Sequence, residues 1–237
     1  MSRIRDPEWV REQYANEANL AARKSVYGNI EGPDTPELVL RAVAECSPRR
    51  VLEVGGGEGE LAARIVRELG AELVGIDQSE RMVEIQRAKG IDARLGDVER
   101  LPFGDGTFDT AVAAWMLYHA TDVERAVSEL ARVLGPGGRL VAVTNAIDHL
   151  HELWELAGRE TSARAFGFRS ENGEEALRRH FSHVERRDVR GWVVMDDDAV
   201  RRYAESWDDL APAVERLPLA QPLRARRSNT IFVAQKA

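Results

Sequence analysis

Apolar residues along this chain fall into short runs separated by stretches of helical periodicity. Val51–Val54, Leu73–Ile76, Ile91 through Leu95, Thr110–Trp115 and Leu140–Thr144 have the length and apolar character of buried strands. After the first run, Leu61, Ala62, Ile65, Val66 and Leu69 form a stripe at helical spacing. Before the fifth, Val123, Ala126, Val127, Leu130 and Val133 do the same. Ser79 stands where it can cap the intervening helix that Gly90 ends, and Thr121-Asp122-Val123-Glu124 reads as a capping box. Strands alternating with helices of this length predict an α/β protein with a parallel, doubly wound sheet.

The flanks read differently. Asp6-Pro7-Glu8 combines an N-cap, a first-turn proline and an acid matched to the helix dipole, predicting a helix to roughly Tyr27. Thr35-Pro36-Glu37 repeats the signal, and Leu38, Val39, Ala42 and Val43 make a second amphipathic helix before Ser47-Pro48. Beyond Asn145, Leu150, Leu153, Trp154 and Ala157 suggest one helix, and Asn172-Gly173-Glu174-Glu175 opens another to about Phe181. Val184–Val189 and Thr230–Ala234 are the last strand candidates, with an inserted helix over Asp196–Leu210 between them. Pro212, Pro218 and Pro222 break the connection that follows. The expectation is a single domain over 1–237: a helical cover (1–47), a core that binds a cofactor (49–145), and insertions with the last strands (146–237).

The most specific stretch is Val51-Leu-Glu-Val-Gly-Gly-Gly-Glu-Gly-Glu-Leu-Ala62, where a strand enters a glycine turn that opens a helix. Free N–H groups and the positive dipole end at such a helix start suit the anionic part of a ligand. A dinucleotide fingerprint beginning at Gly55 needs Gly or Ala at position 60, which is Glu60. The chain instead reads E-x-G-x-G-x-G from Glu53. With Asp77 at the end of the second run, Leu95-Gly96-Asp97-Val98 before Leu101-Pro102-Phe103, the strand Phe108–Trp115 and the turn Leu130–Gly138, it resembles the class I S-adenosylmethionine-dependent methyltransferases. These motifs fall in order across residues 49–145.

That resemblance implies a mostly parallel, seven-stranded Rossmann-like sheet with an antiparallel last strand, and S-adenosyl-L-methionine as cofactor. It implies that Glu53, Gly55 and Gly57 hold the methionine end, with Glu53 reading equally well as a brace for the glycine turn. Asp77 and the adjacent Gln78 fall at the ribose, and one carboxylate can accept from both hydroxyls. Asp97 and the Val98 N–H fall at the adenine, although Asp97 also reads as a turn cap. Ala114 and Met116 fall near the methionine portion. Tyr14 and Tyr27 on the cover read either as closing over cofactor or substrate or as core packing. Glu58 departs from the commonest family pattern, which has a small or hydroxylated residue there; a carboxylate suits a helix N-terminus but is expected to crowd the cofactor's own carboxylate.

Methyl transfer from a sulfonium is a displacement at an already activated carbon, so catalysis rests on positioning and water exclusion, with a base needed only when the nucleophile must lose a proton. Tyr118 and His119 follow the fourth strand on the carboxyl edge, making His119 the candidate base or, alternatively, a packing residue. Tyr27, Tyr118, Asn145 and Trp192 are candidate acceptor contacts. His149 and His151 lie on different helix faces, and Asp196-Asp197-Asp198 reads as a cap and solvated first turn, so no metal site is expected. The single Cys46 sits on an apolar helix face and excludes an intrachain disulfide.

Composition narrows the partners. At 237 residues, 43% apolar and 31% charged, the chain is of ordinary globular type. No run reaches the roughly 18–20 apolar residues of a membrane span, and the N-terminus lacks a signal-peptide h-region, so a cytoplasmic location is expected. A net charge of −7 weighs against a polyanionic substrate. The expected reaction is methyl transfer to a small-molecule acceptor through oxygen, nitrogen or carbon. The alternatives are a macromolecular acceptor (RNA or protein), for which Arg224, Arg226 and Arg227 speak, and a cofactor-binding protein without transfer activity.

Overall fold

Helix and strand alternate through the computed structural model, which describes residues 5–159, 167–207, 210–212 and 222–237. The chain opens with α1 (Pro7–Gln13), α2 (Ala18–Ser25), the two-residue strand β1 (Ile30–Glu31) and α3 (Thr35–Glu45). Its centre is β2 (Arg50–Val54), α4 (Glu60–Arg64), β3 (Glu72–Asp77), α5 (Glu80–Ala88), β4 (Asp92–Leu95), β5 (Phe108–Ala114), α6 (Val123–Val133) and β6 (Leu134–Asn145). There follow α7 (His151–Leu156), α8 (Gly173–Arg178), β7 (His183–Met195), α9 (Asp197–Glu205) and β8 (Leu223–Gln235). Pro218, one of the three prolines expected to interrupt the last connection, lies outside the described residues.

All eight strands join one sheet in the order β1-β7-β8-β6-β5-β2-β3-β4. Strands β2 to β6 pair in parallel, and β8 runs antiparallel to both β6 and β7. The seven expected strands are therefore present, with the last antiparallel. β1 is an addition, too short to leave a periodic signal, pairing Ile30 with Val193 and Glu31 with Trp192. The chain proceeds outward from β2 to β3 and β4, then returns to the other side of β2 as β5. Connections leaving the carboxyl ends of β2 and β5 therefore diverge, and a crevice opens between them.

Side-chain alternation divides the core. Leu52 and Val54 face a cluster containing Leu130 of α6 and Phe232 of β8, while Val51 faces Val39 and Val43 of α3 and Ile65. Strand periodicity puts Glu53 on the Val51 side, at a register where an apolar residue would fit. The helix after β2 keeps Ala62 and Ile65 buried, but its second half, Ile65–Leu69, is a π-helical turn. The wider turn rotates Val66 outward, to 43% exposure, against the expected stripe.

The cover differs from its expectation in two ways. The helix foreseen to Tyr27 is broken after Gln13, where Tyr14 gives its carbonyl to Ser79 Oγ (2.7 Å) and Asn16 Oδ1 accepts from Ala18 N (2.9 Å) to restart it. Asp34, not Thr35, caps α3, and Asp122, not Thr121, caps α6. Thr35 is instead buried and turned toward β8.

The 13-residue strands β7 and β8 pair along their whole length, far beyond the expected Val189, because Arg190 and Gly191 interrupt the apolar pattern without breaking the ladder. β8 parts from β6 after the Asn145–Asn229 pair, so residues 223–228 pair with β7 alone. This overhanging hairpin packs on α7 and α9 through Val193, Met195, Ala225, Trp154, Val200 and Tyr203.

Gly191 sits where β1 meets this hairpin. A Cβ there would lie 2.5 Å from the Glu31 carbonyl and 2.9 Å from Arg227 Nη2. Gly191→Ala should therefore lower stability by about 1–3 kcal/mol through overpacking. At Gly28 a Cβ meets only Ser25 O at 3.6 Å, so Gly28→Ala should be near neutral. Urea titrations of both variants check this; equal midpoints would contradict the tight β1–β7 contact.

Candidate functional site

The crevice between β2 and β5 widens into a cavity of about 640 Å³. Its lining brings together Glu53, Gly55, Gly57, Asp77, Gln78, Asp97, Val98, Ala114 and Met116 from the strand ends and loops, Tyr14 and Tyr27 from the cover, and Tyr118, His119 and Asn145 from the carboxyl edge. Trp192 is absent from it. The side chain stands beside β1, with the Arg224 guanidinium 4.0 Å from its ring centroid, because strand alternation gives the inward position to Val193. Tyr203 and Trp207, from the inserted segment expected over Asp196–Leu210, line it instead.

Glu53 is 1% exposed, and its Oε2 has no hydrogen-bond partner among the described residues. Burial, reinforced by the nearby Asp77 carboxylate, pushes its pKa up to about 8. Asp77 rises to about 6 through burial, while the N–H groups of Ser79, Gly57 and Gln78 pull the other way. Its Oδ1 accepts from Ser79 N at 3.0 Å and its Oδ2 from Gly57 N at 3.3 Å, which leaves acceptor capacity on both oxygens. Asp97 accepts from Glu99 N at 2.9 Å through Oδ1, so it caps its turn and also lines the cavity.

The glycine loop owes its shape to its neighbours. A Cβ on Gly55 would lie 2.6 Å from Met116 Cβ, and one on Gly56 would lie 2.4 Å from Glu53 Oε2. Both positions must be bare for β2 and β5 to approach and for Glu53 to fit. Trp115, between Ala114 and Met116, holds a positive φ of 54°, an uncommon backbone for a bulky residue. Glu58 lines the cavity with its Oε2 bound by Lys24 Nζ at 2.6 Å.

Tyr14 and His119 meet directly, with Oη 3.1 Å from Nε2 and the rings edge to face at 5.6 Å. Tyr118 packs on the same imidazole at 4.6 Å. Burial raises the phenols of Tyr14 and Tyr118, the latter well above its ordinary value. Behind Tyr14 lies Arg23, 9% exposed, with its guanidinium 4.3 Å from the Trp207 ring centroid. Arg23 donates to Tyr14 Oη (3.4 Å), Gln13 Oε1 (2.5 Å) and Ser206 O (2.8 Å), and no carboxylate pairs with it among the described residues. No periodic signal marks Arg23, which lies in a helix that mixes Ala18, Leu20, Ala21 and Ala22 with polar residues.

The opposite end of the cavity is built by Tyr27, Thr35, Asn145, Arg227 and Asn229. Tyr27 Oη is 2.8 Å from His149 Nε2. Ser228 donates its N–H to His149 Nδ1 (3.1 Å), and its carbonyl already accepts from Ala146 N (3.0 Å). Nδ1 thus lies between the Ser228 N–H and the Ser228 carbonyl (3.2 Å), and the tautomer sets which of the two it meets. The arginines of β8 do not share a face. Arg224 pairs with Glu31 (2.7 Å) and Arg226 with Glu152 (2.9 Å), whereas Arg227 is 2% exposed and turns inward. Period-two alternation of Arg227 and Asn229 was the signal available for that inward face. It was masked by the two other arginines.

Among the described residues, no group of three or more His, Cys, Asp or Glu is placed to hold a metal ion, and no helix is long and apolar enough to cross a membrane.

Residues 52–142 match the methyltransferase domain family. An uncharacterized methyltransferase of Mycobacterium tuberculosis is 37% identical over 134 residues, covering 54% of each chain. A demethylmenaquinone methyltransferase of Thermus thermophilus is 42% identical over 106 residues, 42% of this chain and 48% of that protein. The match thus spans about half the length of these curated relatives. Among solved structures, the [4+2]-cyclase SpnF superposes with a TM-score of 0.65 at 21% identity, covering 96% of this chain and 94% of its own. A methyltransferase of Thermotoga maritima described as a possible histamine N-methyltransferase gives 0.62 at 21% identity, covering 95% and 99%. At these identities the likeness is one of fold.

The buried carboxylate at position 53 makes a pH prediction. Between its ordinary value of 4.5 and about 8, the folded chain keeps a proton on Glu53 that the unfolded chain has released. Without ligand, stability therefore falls as pH rises across that window, and Asp77, also raised, adds in the same direction up to about 6. Glu53→Gln should match the parent melting temperature near pH 5 and exceed it near pH 8.5. A constant difference across this range in thermal unfolding would contradict the placement of Glu53.

Proposed function

We propose, starting from a core that belongs to the class I methyltransferases, that this chain binds S-adenosyl-L-methionine and transfers its methyl group to a small-molecule acceptor. The observation that carries the reading is Glu53 Oε2, a carboxylate oxygen buried without a partner beside the glycine loop. A buried acceptor of this kind fits the cofactor's ammonium, which would satisfy it.

The remaining residues fit the same molecule. Asp77 has acceptor capacity for the ribose hydroxyls, with Gln78 beside it, and Asp97 with the Val98 N–H suits the adenine edge. The carbonyls of Ala114 and Met116 lie on the methionine side. Arg23, held next to Tyr14 and without a carboxylate partner among the described residues, suits the cofactor's own carboxylate. Bound there, S-adenosylmethionine supplies a methyl group already activated by the sulfonium. The protein's part is to align the acceptor and exclude water, tasks that fall to the cover helices and the edge by Tyr118 and Asn145.

Where the acceptor must lose a proton, His119 receives it. Arg23 can only donate, so Tyr14 Oη accepts from it and directs its own proton at His119 Nε2, leaving the imidazole as base. A proton leaving the acceptor passes to Tyr14 Oη as the phenol proton moves to Nε2. The quinone-biosynthesis methyltransferases among the relatives support a small acceptor. A second reading, cofactor binding without methyl transfer, has the [4+2]-cyclase of the same fold in its favour.

The test is incubation with S-adenosylmethionine labelled on the methyl group and cell extract, followed by separation of small molecules from macromolecules. Label in the small-molecule fraction supports the proposal; label only in macromolecules, or none despite tight cofactor binding, overturns it. Asp77→Ala should weaken S-adenosylhomocysteine binding by about 1.5–3 kcal/mol, read by calorimetry. His119→Ala should lower turnover about a hundredfold with cofactor affinity intact. A loss below about threefold would leave the imidazole a positioning role only.

A further inference from the structure

Once Glu53, Asp77, Asp97 and Arg23 are matched to the cofactor, one buried charge in the cavity remains without a counterpart. Arg227 is 2% exposed and has no ion-pair partner among the described residues. Its Nη1 donates to Thr35 Oγ1 and its Nη2 to Pro33 O, and its Nε has no partner among the described residues. Asp34, whose field reaches the guanidinium, is itself exposed and occupied as the cap of α3. Removing a cation from water without an anion costs several kcal/mol, and hydrogen bonds to two neutral oxygens offset only part of that.

The guanidinium also sets the polarity of its surroundings. An arginine can only donate, so Thr35 Oγ1 accepts and passes its own proton to Asn229 Oδ1 at 3.3 Å. Asn229 Nδ2 then donates to Asn145 Oδ1 at 2.6 Å. Asn145, which lines the cavity, keeps its Nδ2 amide as a donor outside this chain of bonds. The chain of bonds begins at a cation and ends at the residue that carries this donor. Both ends of it ask for an electron-rich ligand.

We infer that the acceptor carries a carboxylate, bound between the Arg227 guanidinium and the Asn145 amide at the β6–β8 end of the cavity. The planar fork of an arginine matches a carboxylate's two oxygens, and the Trp115, Tyr203 and Trp207 side chains that also line the cavity suit an aromatic or otherwise apolar body. This inference rests on the methyltransferase reading, since it takes what the cofactor leaves over.

The test uses the full chain saturated with S-adenosylhomocysteine, titrated with benzoate and with its neutral isostere benzamide. Benzoate should bind at least about tenfold tighter. Arg227→Met should erase that preference while S-adenosylhomocysteine affinity stays within about twofold of the parent. Should Arg227→Met fail to fold, Asn229→Asp provides the same test, because its carboxylate neutralises the guanidinium through the existing Thr35 contact. Equal binding of benzoate and benzamide, no benzoate binding at about 10 mM, or a preference that survives substitution would overturn the inference. So would competition between benzoate and S-adenosylhomocysteine, which would assign Arg227 to the cofactor. Failure of S-adenosylhomocysteine itself to bind would sink the methyltransferase reading, and this one with it.

Discussion

A carboxylate at a core register is the constraint around which the rest of the molecule is arranged. Glu53 lies on β2 with β3 and β5 paired on either side of it, on the face where Val51 packs against α3. Water cannot solvate it there, so its charge is tolerable only beside a ligand that brings a cation. The bare Gly56 above it and the switch in chain direction between β2 and β5 both serve to keep that carboxylate in a closed but open-ended space.

The cover is attached by a second buried charge rather than by apolar packing alone. Arg23 of α2 inserts between Trp9, Tyr14 and Trp207, with its guanidinium 4.3 to 5.9 Å from the three ring centroids, and holds the Ser206 carbonyl after α9. One side chain thus joins α1, α2 and the segment inserted between β7 and β8. It also contacts Tyr14 where that residue meets His119, so the integrity of the cover and the Tyr14–His119 contact at the edge share a single residue.

The central sheet was legible because each of its strands is an apolar run bounded by turn residues, and the cofactor end because its residues sit at strand ends in a fixed order. Residues on the far side were read less well. Asn145 was found by its place at the end of β6, but Thr35 was taken for a helix cap when its hydroxyl is turned toward Arg227 and Asn229. Trp192, a candidate acceptor contact, stays out of the cavity because the pleat of β7 gives the inward position to Val193. Arg227 was grouped with Arg224 and Arg226 as a basic cluster, and only the alternation of β8 separates the two that meet acids at the surface from the one that turns inward. These errors share a cause: the direction of a side chain on a long hairpin depends on pairing partners remote in sequence.

The contact between Gly55 and Met116 has a consequence for how such a chain can change over time. The two residues compete for one volume, since a methyl group on the first would occupy the space of the second's Cβ at 2.6 Å. Position 55 also has a φ of +63°, which penalises a side chain whatever the space. Enlarging residue 55 would require both a smaller residue 116 and a different turn, so no single step along that route is neutral. Met116 also packs against the central core, so shrinking it carries its own cost, and the two positions at the mouth of the crevice hold each other in place.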